Sequence, residues 1–344
     1  MEKWYEESGE ESDVVIASKV SLARNVAGIH FTNRQTEEEA IELLDLVLDK
    51  MGNYGDDGGN YDASPISELR EVDRASLMER HLASPLLIQK KNTGILIPDD
   101  ESASMMVGEE DHLRMQVLKS GMNLEEAYAR VNDMDDYADE VLGLAFHPKF
   151  GYLTASPVNA GTGLHASFLV YLPALSASGK IPQLSQEVSR YGVNLHGVYG
   201  ENQKAYADIF QMTNQKTLGC NEYELMEMMN GMVQQIIRQE RKYREYALNQ
   251  NYDQIADQIY RSYGVLKYAR QLTTKDAVTL LTQIKLGVDT GILTLEEDKN
   301  IYSLIMDIQP NNLQFIAGAN LGNQQRDEMR AEYISENLPE LAED

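Results

Sequence analysis

The hydrophobic periodicity of this chain changes once, between Gly219 and Glu222, and that change limits the fold more than any other feature. Before it, short segments alternate apolar and polar residues; after it, apolar residues recur every three or four positions. In residues 164–172, Leu164, Ala166, Phe168, Val170 and Leu172 alternate with His165, Ser167, Leu169 and Tyr171, which predicts a strand with one buried face. Further strands are predicted over 14–20, 95–97 and 192–198, and helices over 36–51, 76–81, 109–119 and 124–144. Beyond Glu222, Leu225, Met228, Met229, Met232 and Ile236 share one helical stripe. Similar stripes cover 252–272, 274–288, 295–308 and 326–338, punctuated by Gly264, Gly291 and Pro310. The expectation is an α+β region over 1–220 and an all-helical one over 221–344, with the Met-rich stripe as core or dimer seam.

Charge and cysteine usage narrow the partners. Thirty Lys and Arg against 55 Asp and Glu leave a net charge of −25 over 344 residues. No basic patch stands out against that field, so neither nucleic acid nor a membrane is an expected direct partner, and basic proteins or peptides suit the charge. Cys220 is the single cysteine, which excludes an intramolecular disulfide framework and a cysteine-rich zinc site and suits the reducing cytoplasm. The opening MEKWYEESGEESD lacks a basic and an apolar leader region, and no apolar run approaches the ~18 residues of a membrane span. The run GNYGDDGGNYD over 52–62 reads as a flexible surface loop, since it lacks the Lys-Ser/Thr ending of a phosphate-binding loop.

Polar and special residues concentrate in four segments: 17–25, 108–114, 154–167 and 196–201. Glu109, Glu110 and Asp111 beside Arg114 form a carboxylate cluster able to supply a base, while the Gly161, Thr162, Gly163 turn offers N–H groups to an anion. Taken singly, an EED run reads equally as a solvated helix start and a Gly-Thr-Gly turn as a strand entry. Arg24 is as well suited to an acidic neighbour as to a ligand.

In this order the stretches SDVVIASKVSLARN, ERHLASP, DDESASMMVGEEDHLRMQ, GYLTASPVNAGTGLHAS, HGVYGENQKA and RDEMRA resemble the ATP:guanidino phosphotransferases, most closely the bacterial protein-arginine kinases. The resemblance implies a saddle-like antiparallel sheet flanked by helices, a dimerising helical region, ATP with Mg²⁺ as cofactor and no other metal. It also implies arginine-containing or arginine-phosphorylated proteins as partners, with a Clp protease chaperone and a kinase-activating partner in protein quality control under stress. By that resemblance Glu110 and Glu201 are the catalytic carboxylates. Ser18, Lys19, Ser21, His81, Arg114, His165, Ala166, Ser167, His196, Gly197 and Glu201 face the nucleotide. Arg326, Asp327, Arg330 and Ala331 form a phosphoarginine pocket, with Arg326 and Arg330 four apart on one helix face.

The same resemblance exposes a depleted clamp. The family presents arginine where this chain has Lys19, Ser21, His165 and His196, and Arg114 alone keeps the type; Ser156 stands where a reactive cysteine is frequent. Arginine forks clamp phosphate oxygens in the transition state, and lysine or neutral histidine does not replace a planar bidentate fork. Two readings follow: a pseudokinase that recognises arginine or phosphoarginine in proteins without transferring phosphate, and an active ATP-dependent protein-arginine kinase. A third, a kinase for free arginine or creatine, is disfavoured because such enzymes carry a helical domain ahead of the catalytic one, and SKVSLARN falls here within the first 25 residues.

Overall fold

The computed structural model describes residues 3–56, 58–201 and 204–342, with the side chains of 200, 201, 204 and 205 outside that set. The first stretch contains β1 (Val15–Arg24), α1 (Glu37–Met51), β2 (Gly55–Asp56), β3 (Gly59–Pro65), α2 (Glu71–Glu79) and α3 (Pro85–Gln89). Next come β4 (Gly94–Pro98), β5 (Ala103–Val107), β6 (Leu113–Ser120), α4 (Leu124–Leu142), β7 (Phe146–His147), β8 (Gly151–Tyr152) and β9 (Leu164–Tyr171). Then follow α5 (Pro173–Ala177), α6 (Ile181–Ser189), β10 (Val193–Gly197), β11 (Gly200–Glu201), β12 (Lys204–Ala205) and β13 (Ile209–Asn214). The remainder is helical: α7 (Glu222–Tyr268), α8 (Thr274–Asp289), α9 (Ile301–Asp307), α10 (Pro310–Ala317) and α11 (Asn323–Asn337).

Nine strands form one antiparallel sheet in the order β10-β13-β9-β1-β6-β5-β4-β3-β2, with β1 near its middle. Alternation along the central strands sends Val20, Leu22, Met115, Val117, Ala166 and Phe168 into a core under α1, α4 and the first half of α7. The opposite face buries Ala17, Leu118, Leu169 and Tyr171 against Trp4, Tyr5, Tyr263, Leu266, Leu281 and Ile305. The expectation of one buried face for residues 164–172 is therefore corrected, because the helical region coats the second face of β9. Of the Met-rich stripe, Met229 and Ile236 lie in the first core, with Met228 and Met232 half-buried against it.

Local chemistry explains the helix ends. Thr36 caps α1 in a reciprocal box with Glu39, and Asn221 does the same for α7 with Glu224. Helix α7 runs for 47 residues with one non-helical residue, Asn251.

Other expectations need correction. Residues 109–119 are not helical: Gly108 turns at φ +75° and β6 follows, with Leu113, Met115 and Val117 buried on one side. The acidic run resembled a helix start, but its side chains are held by long-range partners. The predicted helix over 76–81 is the end of α2, and that over 295–308 starts only at Ile301. Pro310, read as punctuation, opens α10 in the first turn, where its missing N–H costs nothing. The 52–62 run is tied down: Asp56 receives Nε and Nη2 of Arg130 at 2.8 and 3.0 Å, and Tyr61 is buried.

Candidate functional site

The strand registers gather most of the predicted nucleotide residues on one polar area of the second sheet face. Ser21 lies opposite Gln116 on β6 and His165 on β9, while Lys19 lies opposite Leu118 and Ser167. Arg114 is next along β6 on the same side, and on β13 Thr213 pairs with Ser167 and Gln211 with His196 of β10. Since side chains alternate, Ser18 and Ala166 point the other way. Ser18 donates to the Gly121 carbonyl at 2.7 Å and accepts from the Asn123 amide, and Ala166 lies in the first core. The structure does not bring those two side chains to the polar area.

Burial and mutual repulsion leave the basic groups of this face with less positive charge than their types suggest. Lys19 borders a cavity of about 30 Å³ with Trp4, His81 and Gln211, and burial followed by the Arg114 charge pushes its amine down to about 7. His165 is pushed down to about 4, by burial first and Arg114 next. His81 is also pushed to about 4 by burial and Lys19; its Nε2 lies 3.2 Å from the Tyr302 hydroxyl and its carbonyl accepts Nε2 of Gln116 at 2.7 Å. Burial lowers His196 as well, and its Nδ1 is buried with no hydrogen-bond partner among the described residues. Arg114 reaches Glu109 at 3.4 Å.

At one edge of the polar area stands the turn carrying Glu109, Glu110 and Asp111. Glu109 and Asp111 are buried and Glu110 is exposed. Asp111 is an anchor: Oδ1 accepts Nδ2 of Asn25 and the Ala155 amide, each at 2.7 Å. His112 accepts the Val26 amide at Nδ1 and donates Nε2–H to the His30 carbonyl at 2.8 Å. The free carboxylate of the run is thus Glu110, held by one side chain the sequence reading did not single out. Asn159 donates Nδ2 to Oε2 of Glu110 at 3.1 Å and to Oδ2 of Asp111 at 3.3 Å. Its Oδ1 lies 2.9 Å from Nε2 of His165, and with Nδ2 facing two carboxylates that ring nitrogen must carry the proton. The segment containing Asn159 was noted, but only tertiary contact brings its amide between Glu110 and His165.

Other expected features are used structurally. Gly161 N–H goes to the Tyr152 carbonyl and Thr162 N–H to that of Thr217, so the turn does not offer them to an anion. Gly163, at φ +63°, sits where a Cβ would meet the Ala23 carbonyl at 2.7 Å. Arg24 is buried in a bidentate pair with Asp135 at 2.7 and 2.8 Å and stacks over the Tyr152 ring. Gly197 closes β10 opposite Phe210, and Ser156 lies half-buried in the loop before Asn159. The backbone of Glu201 lies in β11; its side chain is outside the described residues.

On α11 the two arginines expected on one face are differently placed. Arg330 is buried, with Nε on the Ile308 carbonyl at 3.0 Å and Nη1 on the Leu272 carbonyl and Asp327 at 2.8 and 2.7 Å. Asp327 is therefore occupied by Arg330, Ala331 is buried, and Arg326 bonds Oδ1 of Asn323 at 2.5 Å.

Comparison with known proteins agrees with this architecture. Residues 42–243 match the family described as ATP:guanido phosphotransferase, C-terminal catalytic domain, and residues 252–344 match the protein-arginine kinase McsB C-terminal domain. A protein-arginine kinase of Caldanaerobacter subterraneus subsp. tengcongensis is 40% identical over 95% of this chain and 98% of its own. One from Bacillus subtilis is 35% identical over 98% and 93%. Among solved structures, a lombricine kinase superposes with a TM-score of 0.60 at 22% identity, covering 70% of this chain and 68% of that one. A duplicated taurocyamine kinase from Schistosoma mansoni, at 24% identity and TM-score 0.62, covers 70% and 35%, and both show the fold. By sequence match along nearly its whole length and by the guanidino-kinase sheet, the chain belongs to the protein-arginine kinases of the ATP:guanido phosphotransferase family.

Proposed function

We propose that this protein receives arginine side chains of other proteins at Glu110 and that its phosphoryl transfer is impaired. The observation that carries the reading is the state of the cationic half of the site. A nucleoside triphosphate brings about four negative charges, and its transfer needs several fixed cations around the moving phosphoryl group. On the polar face stand Arg114, already facing Glu109, and Lys19, whose amine is pushed to about 7, while His165 donates to Asn159. These residues do not fit a tightly clamped Mg²⁺–triphosphate. Glu110, by contrast, is exposed and oriented, as a carboxylate meeting a guanidinium has to be.

The active-kinase reading keeps one observation in its favour: Lys19 and Arg114 share a face with Glu110 at its edge, and an arriving anion would favour the charged form of Lys19, which takes its proton from solvent. Incubating the protein with radiolabelled ATP, Mg²⁺ and an arginine-rich protein, at pH 7.5 and 6, separates the two. Acid-labile label on protein at turnover rates would sink the impaired reading; its absence, with arginine peptides still bound, supports it.

The wider setting is part of the same proposal: a quality-control role in the cytoplasm, with an intact kinase or a Clp chaperone as partner. A homodimer could use the half-buried Met228 and Met232 of the stripe or the exposed Tyr246, Tyr252, Tyr260 and Tyr268 farther along α7. A phosphoarginine-reading role for α11 rests on Arg326.

A further inference from the structure

Beside the Glu109–Asp111 turn lies a groove of about 290 Å³. Thr32, Gln35 and Glu37 form one wall, Lys90 and Lys91 the other, with Gly108 between. It is built onto the turn from both sides. Thr32 donates its hydroxyl to the Glu110 carbonyl at 2.5 Å, and Lys90 donates Nζ to the Glu109 carbonyl at 2.7 Å. Both walls are therefore fixed relative to the carboxylate that takes the guanidinium.

Two lysines face one glutamate here, on a chain of net charge −25. Lys90 donates to a carbonyl rather than to a carboxylate, and burial, opposed by the nearby Glu109 and Asp111 charges, holds its amine below the ordinary lysine range. Lys91 is exposed. An extended polypeptide whose arginine reaches Glu110 carries residues two positions away at ~7 Å along the strand, the scale of this groove.

We propose that the groove seats the residues flanking the target arginine and that Lys90 and Lys91 select acidic side chains there. The inference rests on the reading that Glu110 receives protein arginine. It defines the substrate class as arginine within an acidic stretch: the guanidinium meets a carboxylate, and its neighbours meet ammonium groups.

Three fluorescein-labelled peptides of equal length test it by anisotropy on the full chain: one arginine flanked by Asp, the same peptide with Asn for each Asp, and the Asp peptide with citrulline for arginine. The Asp peptide is expected to bind about fivefold tighter than the Asn peptide, the scale of one or two screened ion pairs. Lys91→Gln should reduce that preference and Lys91→Glu remove or invert it, in variants whose folding is checked by circular dichroism. Equal binding of the Asp and Asn peptides, or a preference that survives both substitutions, overturns the proposal while leaving the arginine reading intact. A citrulline peptide that binds as tightly as its arginine counterpart overturns the arginine reading instead, and no binding by any peptide counts against both.

Discussion

Nε2 of His165 lies 2.9 Å from Oδ1 of Asn159, and the amide nitrogen of the same asparagine lies 3.1 Å from Oε2 of Glu110. His165, which the family resemblance puts in the phosphate clamp, is thereby joined through one side chain to Glu110, the carboxylate proposed to meet the guanidinium. The two halves of the site are mechanically coupled.

Removing that link should disturb Glu110 without touching it. Asn159→Asp places a third carboxylate beside Glu110 and Asp111, which raises their pKa values by like-charge repulsion. Arginine-peptide affinity should then fall most at pH 5 to 6 and recover partly by pH 8, whereas Asn159→Ala should weaken it at every pH. Asn159→Ala is also expected to destabilise the fold by about 1–3 kcal/mol, since Asp111 loses one of its buried donors. Calorimetric peptide titrations across pH, with thermal melts, check both.

Restoring the clamp should be cooperative. Ser21→Arg, His165→Arg and His196→Arg together are expected to raise phosphoryl transfer far more than the sum of the single variants, because clamp residues act as a unit. Single-turnover assays with labelled ATP measure it. A folded triple variant as inert as the parent would place the defect elsewhere.

Nucleotide affinity should fall as pH rises through neutrality. Lys19, at about 7, is charged below that pH and increasingly neutral above it, and an anion binds the charged form. Binding then takes up a proton above pH 7, so affinity is expected to drop by up to about tenfold per pH unit until the bound-state value is reached. His165 and His81, near 4, add charge only in more acidic solution. Titrations with ATP and Mg²⁺ between pH 6 and 9, repeated on Lys19→Met, should show the slope in the parent and lose it in the variant.

On α11 the two arginines should behave oppositely. Arg330→Ala leaves Asp327 and two carbonyls without their donor and is expected to cost about 3–5 kcal/mol, seen as a large fall in Tm. Arg326→Ala should change stability little, and free phosphoarginine, if it binds this helix, should be lost in Arg326→Ala alone among folded variants.

What was legible in the chain is the local part of this structure. The helix predicted over 36–51 matches α1, and the strands predicted over 14–20, 95–97, 164–172 and 192–198 match β1, β4, β9 and β10, because such periodic patterns act over a few residues. Strand β6 was missed because Asp111 and His112 are held by Asn25, Asn159 and backbone groups distant in sequence, and no local rule announces such partners. The family resemblance pointed to Lys19, Ser21, Arg114 and His165, and register places them together. Ser18 and Ala166 sit one step out of phase and so on the wrong face. Arg326 and Arg330 have the spacing of a paired clamp, yet Arg330 is buried, which spacing alone does not reveal.

Helix α7 enters the core on one face of the sheet with Met229, Val233 and Ile236, and after Asn251 contributes Ile259, Tyr263 and Leu266 to the core on the other. It acts as a staple through which the two layers share one fate. Loosening either end removes apolar cover from the sheet, so the helix has little freedom to open as a separate cooperative unit. Backbone amides in both halves should therefore exchange with solvent on a common, slow timescale, while a cut at the Asn251 joint would free two fragments, each still seated on its own side of the same nine strands.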